Sequence, residues 1–323
     1  MKTRVGVLRG GPSSEYEVSL RTGDAILKNL PPQYHPVDIF IDRGGVWHLY
    51  GVPHEPHRAL AKVDVVWNAL HGEYGEDGGV QELLDAHAVF YTGSGRFASA
   101  MAMNKAAAKG MLLSAGVKTP YYRILRREHI PSVSAAVLKL YRTFPQPSIV
   151  KPLGKGSSVG MAVARSAEEL AHALDGAFAV SDAVLLEEFI QGREATCGVV
   201  DGFRGERHYT LLPIEICPPP ESPFFDYYAK YSGQSREVCP GNFSRREMEE
   251  LQELARTVHA ALELRHYSRS DFIVHPRRGI YFLEVNTLPG LTAESLLPKA
   301  LRAVGCEFPQ FLDHVLTLAL VRR

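Results

Sequence analysis

The densest chemistry in the chain sits on two short segments joined by a turn. Arg269-Ser270-Asp271-Phe272-Ile273-Val274 and Ile280-Tyr281-Phe282-Leu283-Glu284-Val285-Asn286 flank His275-Pro276-Arg277-Arg278-Gly279, a hairpin signal. If Pro276 faces Gly279, Asp271 lies opposite Glu284 and Arg269 opposite Asn286. Strand alternation then puts all four on one face. Two carboxylates facing each other across a mostly apolar hairpin repel, and an oxygen-seeking cation such as Mg²⁺ removes that cost. The alternative is a solvated polar face on which Arg269 neutralises one carboxylate. The metal reading is favoured because the register follows from the turn alone.

Two glycine loops suit anions. Val150-Lys151-Pro152-Leu153-Gly154-Lys155-Gly156-Ser157-Ser158-Val159-Gly160 lacks the order of a Walker A loop, yet it joins two strand-like segments. It holds two of the chain's 11 lysines, and such a loop can fold over nucleotide phosphates with N–H donors and an ammonium. Gly10-Gly11-Pro12-Ser13-Ser14-Glu15 follows the first strand and can bring backbone N–H groups to an anion, or be a simple tight turn. It is not GxGxxG, so a nicotinamide dehydrogenase reading fails. A third segment, Phe224-Phe225-Asp226-Tyr227-Tyr228-Ala229-Lys230-Tyr231, reads either as a lid that excludes water and presents one lysine or as a displaced core segment.

Strands must carry these loops. Val5–Leu8, Val37–Ile41, Val63–Ala69 and Ala88–Tyr91 read as short buried strands, with helices at Tyr16–Leu30 and Gly79–His87 between them. That alternation implies a parallel sheet covered by helices, ending near Thr92-Gly93-Ser94-Gly95. A second unit has an alanine-rich helix over Ser99–Ala115, strands at Ser148–Lys151, Val159–Ala164 and Ala183–Glu188, and a helix to Phe178 that opens on the capping box Ser166-Ala167-Glu168-Glu169. The third unit has a Pro-rich segment from Cys217, read as one long loop to Pro240. A second capping box, Ser244-Arg245-Arg246-Glu247, precedes an apolar helix face of Met248, Leu251, Ala255, Val258 and Leu262. The expected domains are 1–95, 96–187 and 188–323.

Composition narrows the class. The 323 residues are 45% hydrophobic and 22% charged, with 36 basic and 36 acidic side chains, as in a soluble globular enzyme. Zero net charge argues against nucleic-acid binding, and no apolar run approaches the ~20 residues of a membrane span. The four cysteines form no CxxC pair and fit a reducing, cytoplasmic compartment.

Taken together, the motifs resemble one family over essentially the whole chain. Gly10-Gly11-x-Ser13-x-Glu15-x-Glu17-Val18-Ser19-Leu20, Leu70-His71-Gly72 with Gly75-Glu76-Asp77-Gly78, Tyr91–Gly95, Lys151-Pro152 with Gly156–Gly160, Tyr227 with Ala229-Lys230-Tyr231, and Glu284-x-Asn286-Thr287-x-Pro289-Gly290-x-Thr292 stand in order. They resemble D-alanine–D-alanine ligases. The resemblance implies an α/β (α+β) ATP-grasp fold: an N-terminal parallel-sheet domain followed by two α+β domains clasping ATP. It implies that ATP phosphorylates one D-alanine carboxylate and that a second D-alanine amine displaces the phosphate, giving a dipeptide for peptidoglycan.

The resemblance also assigns residues. Asp271, Glu284 and Asn286 would hold two Mg²⁺ (or Mn²⁺) ions. Lys105 and Lys151 match nucleotide lysines, and Lys230 the lid lysine at the γ-phosphate. Glu187, Phe189 and Ile190 fall on the hinge strand at the adenine, with Glu194 at the ribose. Arg269 and the N–H of Gly290 face the tetrahedral intermediate, an oxyanion role. Glu15, Ser157 and Tyr231 form a triad around the first D-alanine's ammonium, His71 lies near its carboxylate, and Ser295 with Leu296 anchors the second carboxylate. A homodimer is implied. Two positions depart from the pattern. Glu188 stands where lysine is frequent, so either a backbone group replaces it or it turns away, and Phe225 replaces a common lid tyrosine. Two other classes compete: a relative using D-lactate or D-serine, and a non-catalytic nucleotide sensor. Tyr231 argues against lactate, where phenylalanine is usual. The presence of Arg269, Asp271, Glu284 and Asn286 argues against a sensor.

Overall fold

Three sheets follow one another in the computed structural model, which describes residues 2–130, 132–153, 160–218 and 235–321. Ser157, Phe225, Lys230 and Tyr231 lie outside the described residues, as do most of the glycine-serine loop and the whole lid segment.

The first sheet has strands β1 (Thr3–Gly10), β2 (Tyr34–Ile41), β3 (Trp47–Leu49), β4 (Val52–His54), β5 (Val65–Asn68) and β6 (Phe90–Tyr91), in the order β4-β3-β2-β1-β5-β6. β1 lies parallel to both β2 and β5, and β5 parallel to β6. Helices α1 (Tyr16–Asn29), α2 (Pro56–Leu60) and α3 (Gly79–Ala86) connect them. The expected alternation is therefore present, with an antiparallel extension, β2-β3-β4, that the sequence pattern did not show. Its last two strands have three residues each, too few for alternation to register. The last strand starts at Phe90 rather than Ala88, because Ala88 turns with φ at 53°.

The alanine-rich segment forms two helices, not one: α4 (Arg96–Met103) and α5 (Lys105–Ser114). Asn104 divides them. Its extended backbone breaks the first helix, and its side chain accepts from Ala107 N at 3.1 Å to cap the second. Lys105 thereby becomes the first residue of a helix. The second sheet is antiparallel, β7 (Tyr122–Arg126), β8 (Ser148–Pro152), β9 (Ala162–Ala164) and β10 (Ala183–Glu188), in the order β7-β10-β8-β9. Helices α6 (Val133–Thr143) and α7 (Ala167–Phe178) pack on it. Half of the expected Ser166 box forms. Ser166 Oγ accepts from Glu169 N at 3.1 Å, but the Glu169 carboxylate accepts from Arg165 N instead.

The third sheet joins β11 (Arg193–Asp201), β12 (His208–Thr210), β13 (Ile214–Cys217), β14 (Arg236–Val238), β15 (Tyr267–His275) and β16 (Gly279–Asn286), in the order β14-β13-β11-β15-β16 with β12 beside β11. The stretch before Pro240 is thus not all loop: Arg236–Val238 pairs with β13. Helix α8 (Arg245–Ala261) begins with the full Ser244–Glu247 capping box and buries Leu251, Ala255 and Val258. Helices α9 (Leu296–Ala303) and α10 (Phe308–Leu320) close the chain.

Helix α10 returns to the first sheet. Phe311, wholly buried, packs edge-on against Trp67 of β5 and Tyr267 of β15, with ring centroids 6.2 and 5.4 Å away. One apolar core therefore spans the first and third sheets. Phe311→Ala should cost about 3–5 kcal/mol, as large core truncations do, measured by denaturant unfolding. A loss below about 1 kcal/mol would show that the two sheets do not depend on this core.

Candidate active site

The hairpin of β15 and β16 pairs Arg269 with Asn286 and Asp271 with Glu284, as the turn predicted, but by a different route. His275, not Pro276, faces Gly279, and an irregularity between Asp271 and Phe272 absorbs the offset, restoring the register at the functional end. Asp271 is held from three strands. Its Oδ1 accepts from Thr196 Oγ1 of β11 at 2.6 Å and from Arg269 Nε at 2.9 Å. Its Oδ2 accepts from Arg269 Nη2 at 2.9 Å and Asn286 Nδ2 at 3.1 Å. Glu284 Oε2 lies 3.3 Å from Lys105 Nζ. The repulsion expected between facing carboxylates is thus offset by Arg269 on one and Lys105 on the other. The neutralised polar face is present, and it keeps a set of hard oxygen donors together.

A second charged group lies at the end of β10. Glu187 is almost fully buried. Lys109 Nζ lies 2.6 Å from its Oε1, and Lys151 of β8 bonds its Oε2. The two ammonium groups hold the Glu187 carboxyl below its usual range, although burial alone would raise it. Phe189 N–H donates to Pro147 O at 3.1 Å, and Ile190 is buried with Ile273 and Tyr281. Glu194 stands on β11 between Ile216 and Ile273. Glu188 points its carboxylate to Arg278 Nη1 at 2.6 Å in the hairpin turn.

A third group joins the first sheet to the third. Ligand atoms of Glu15, His71 and Glu76 lie within 4.8 Å of one another. Burial lowers His71 to about 4, with the nearby Arg269 guanidinium acting in the same direction, so its imidazole is neutral. Its Nε2 is 2.8 Å from Thr22 Oγ1. Glu76 accepts from the N–H groups of Gly72 and Leu288, both at 3.0 Å, and from Thr287 Oγ1 at 3.3 Å. Burial and the adjacent Glu15 push its carboxyl up to about 7. Just beyond Leu288, Ser295 stands at the N-cap position of α9 without a capping hydrogen bond from its side chain; its Oγ instead accepts from Thr292 N at 3.1 Å. A Cβ on Gly290 would stand 2.9 Å from Ser295 Oγ, so a larger residue there would displace the Ser295 hydroxyl. Leu296 is the buried first residue of α9.

Lys109, Thr196 and Glu76 were not picked out from the sequence. Glu76 lies in the Gly75–Gly78 motif, a usable signal. Lys109 falls four residues after Lys105, on the same helix face, which is a weaker one.

The D-ala D-ala ligase C-terminus family model matches residues 111–317, and the D-ala D-ala ligase N-terminus model matches 52–94. The chain is 40% identical to D-alanine--D-alanine ligase of Geobacter sulfurreducens, over 98% of this chain and 94% of that one. It is 40% identical to that of Syntrophotalea carbinolica, over 99% and 97%. Among solved structures, VanG D-Ala:D-Ser ligase from Enterococcus faecalis superposes with a TM-score of 0.84 at 29% identity, over 99% of this chain and 100% of that one. The D-alanine-D-alanine ligase from Coxiella burnetii gives 0.83 at 26%, over 99% and 94%.

The Glu76 shift has a sign that can be tested. A carboxyl raised from 4.5 to about 7 binds more protons folded than unfolded between those values. Stability must therefore fall as pH rises through that window and level off above it. Between pH 5 and 8 the Tm should drop by a few degrees more in the wild type than in Glu76→Gln, which has no proton to lose. Parallel Tm profiles for the two proteins would place the titration elsewhere.

Proposed function

The chain belongs to the D-alanine–D-alanine ligase family and has its ATP-grasp fold, and from that premise we propose how its residues join two D-alanine molecules at the expense of ATP. One observation carries the assignment: Arg269, Asp271, Glu284 and Asn286 gather on one hairpin face with Lys105 of α5 against it, while Lys151 and Glu187 form a second charged group on the adjoining sheet.

In this reading ATP lies between the second and third sheets, with Glu187, Phe189 and Ile190 at the base and Glu194 at the ribose. Lys105, Lys151 and Lys230 meet the phosphates. The donors of Asp271, Glu284 and Asn286 are all oxygen, which fits two Mg²⁺ ions, with Mn²⁺ acceptable on the same donors. When bound there, the ions would neutralise charge on the phosphates during transfer. Such a transfer needs placement and charge compensation rather than a strong base.

The first D-alanine sits at Glu15, Ser157, Tyr231 and His71. Its carboxylate oxygen takes the γ-phosphoryl group, releasing ADP. The second, anchored at Ser295 and Leu296, attacks the acyl carbon through its amine. The C–N bond forms, the amine loses a proton and inorganic phosphate leaves. A guanidinium has five N–H donors, of which Asp271 takes two, and Arg269 turns others to the developing oxyanion together with the Gly290 N–H. Neutral His71 beside Arg269 adds no positive charge where an ammonium must enter. The dipeptide feeds peptidoglycan synthesis. We assign the work to three units, 1–95 on the first D-alanine, 96–187 and 188–323 around ATP, in a cytoplasmic homodimer. All four cysteines are free thiols, which supports a reducing compartment. Among the described residues no helix is long and apolar enough to cross a membrane.

Phosphate release from ATP should require D-alanine, and release with L-alanine alone would sink the proposal. Glu284→Gln should lower turnover by about 10–100-fold, as loss of support to a metal site does. Its Tm should move little, since the side chain is partly exposed and packs no core. A Glu284→Gln enzyme with normal turnover would remove Glu284 from the metal site.

A further inference from the structure

Lys109 has no part in the ligation set out above, yet it is wholly buried. Its Nζ lies 2.6 Å from Glu187 Oε1 and 3.5 Å from the carbonyl oxygen of Phe282. Glu187 already has a counter-ion in Lys151, which bonds the other oxygen. Charge balance alone therefore does not call for a second lysine. Burial disfavours the Lys109 ammonium while the Glu187 carboxylate favours it, and two lysines crowd one carboxylate in a space almost closed to water, an arrangement that is unfavourable unless something further uses it. Lys151 is read above as a phosphate ligand. When its donors turn to an anion, Lys109 is the cation that remains dedicated to Glu187.

The helix makes this exact in space. Lys105 and Lys109 are one turn apart on α5, and each reaches a different carboxylate: Lys105 to Glu284 at 3.3 Å, Lys109 to Glu187 at 2.6 Å. The helix is fixed by the Asn104 cap and by buried Ala106, Ala108 and Leu112. One rigid element thus spaces the carboxylate at the phosphate end from the carboxylate at the base end.

We propose that Lys109 is a positioning residue for base selection: it holds Glu187 as an ionised, acceptor-only carboxylate. An ionised carboxylate has about four lone-pair directions and no donor. With one direction on Oε2 taken by Lys151 and Oε1 held beside Lys109 as an ion pair, the lone pairs left can receive only donors such as N–H groups. A 6-amino purine supplies one there, and a 6-oxo purine opposes acceptor to acceptor. Without Lys109, Glu187 is freed to turn or to take up a proton, and a protonated carboxyl donates. The inference rests on the nucleotide reading given above.

Binding of non-hydrolysable ATP and ITP analogues to the full chain, followed by calorimetry without D-alanine, tests it. Lys109→Met keeps the length of the side chain and removes the charge. It should shrink the preference for the adenine analogue by about tenfold or more, the worth of one charge-assisted hydrogen bond, while binding of the inosine analogue changes less than about threefold. Lys109→Arg should recover part of the preference. Glu187→Gln, whose amide both donates and accepts, should lose the same preference, and adding Lys109→Met to it should change the ratio no further. An unchanged ratio in folded Lys109→Met overturns the proposal, as does an equal loss for both analogues, which marks a packing role. If Lys109→Met does not fold, Glu187→Gln decides: a preserved ratio overturns the proposal. ADP release with D-alanine, measured on the same preparations, reports on the ligase reading separately.

Discussion

The carboxylates of Glu187, Asp271 and Glu284 come from three different strands, Glu187 almost fully and the other two partly buried, and each is met by a cation from the chain. Asp271 has Arg269 on its own strand, Glu284 has Lys105 across the seam, and Glu187 has Lys151 and Lys109. An ionised carboxylate buried without such partners would take up a proton or destabilise the fold. The positions of β10, β15, β16 and α5 are therefore tied to one another by charge, whatever their separate propensities. The break at Asn104 follows from the same requirement. A continuous helix from Arg96 would rotate its lysines on the angle set by α4, whereas a fresh start lets α5 aim Lys105 and Lys109 at two carboxylates.

The sequence made the site more legible than the scaffold. The hairpin was readable because turn chemistry and strand alternation are local, and they put Arg269, Asp271, Glu284 and Asn286 on one face without knowledge of any neighbour. The details of the turn were not. The pairing at the tip differs by one residue and is corrected by the irregularity after Asp271, a feature no local pattern records. Long apolar periods such as that of α8 were plain, while strands β3, β4 and β14 of three residues each were not. Lys109 sits in an alanine-rich helix where a lysine reads as a solvent-facing residue, and its burial depends on a carboxylate 78 residues later in the chain. Glu76 was visible as part of a glycine motif, but its raised pKa comes from its own burial and from the nearby Glu15, which only the fold supplies.

Glu188, where the sequence reading expects a lysine, is met by Arg278 in the hairpin turn, 2.6 Å away. Arg278 also lends its carbonyl oxygen to Lys118 Nζ at 2.5 Å. The pair is partly exposed, so its worth to stability is small. Its effect is geometric: the side chain at 188 is drawn to the turn, and Glu187 on the opposite face of β10 keeps its two lysines.

The seams between the sheets differ in kind, and this bears on where chemistry is placed. The first and third sheets share an apolar core built on Trp67, Tyr267 and Phe311, and Glu76 stitches their edge through Thr287 and Leu288. The core of the second sheet, in the described residues, draws only on that sheet and its own helices. It meets the third sheet chiefly through polar contacts, Lys118 O to Phe282 N, Lys118 to Arg278, Glu188 to Arg278 and Glu187 to Lys109, with a small apolar patch at Ile190, Ile273 and Tyr281. An apolar seam is costly to separate, since its surfaces gain nothing from water. A polar seam can exchange its partners for those of a charged ligand. The proposed amino-acid site lies along the apolar seam, where atoms that must form a bond need fixed places. The proposed nucleotide site lies along the polar one, where a polyanion can enter and take over contacts that the empty site makes with itself.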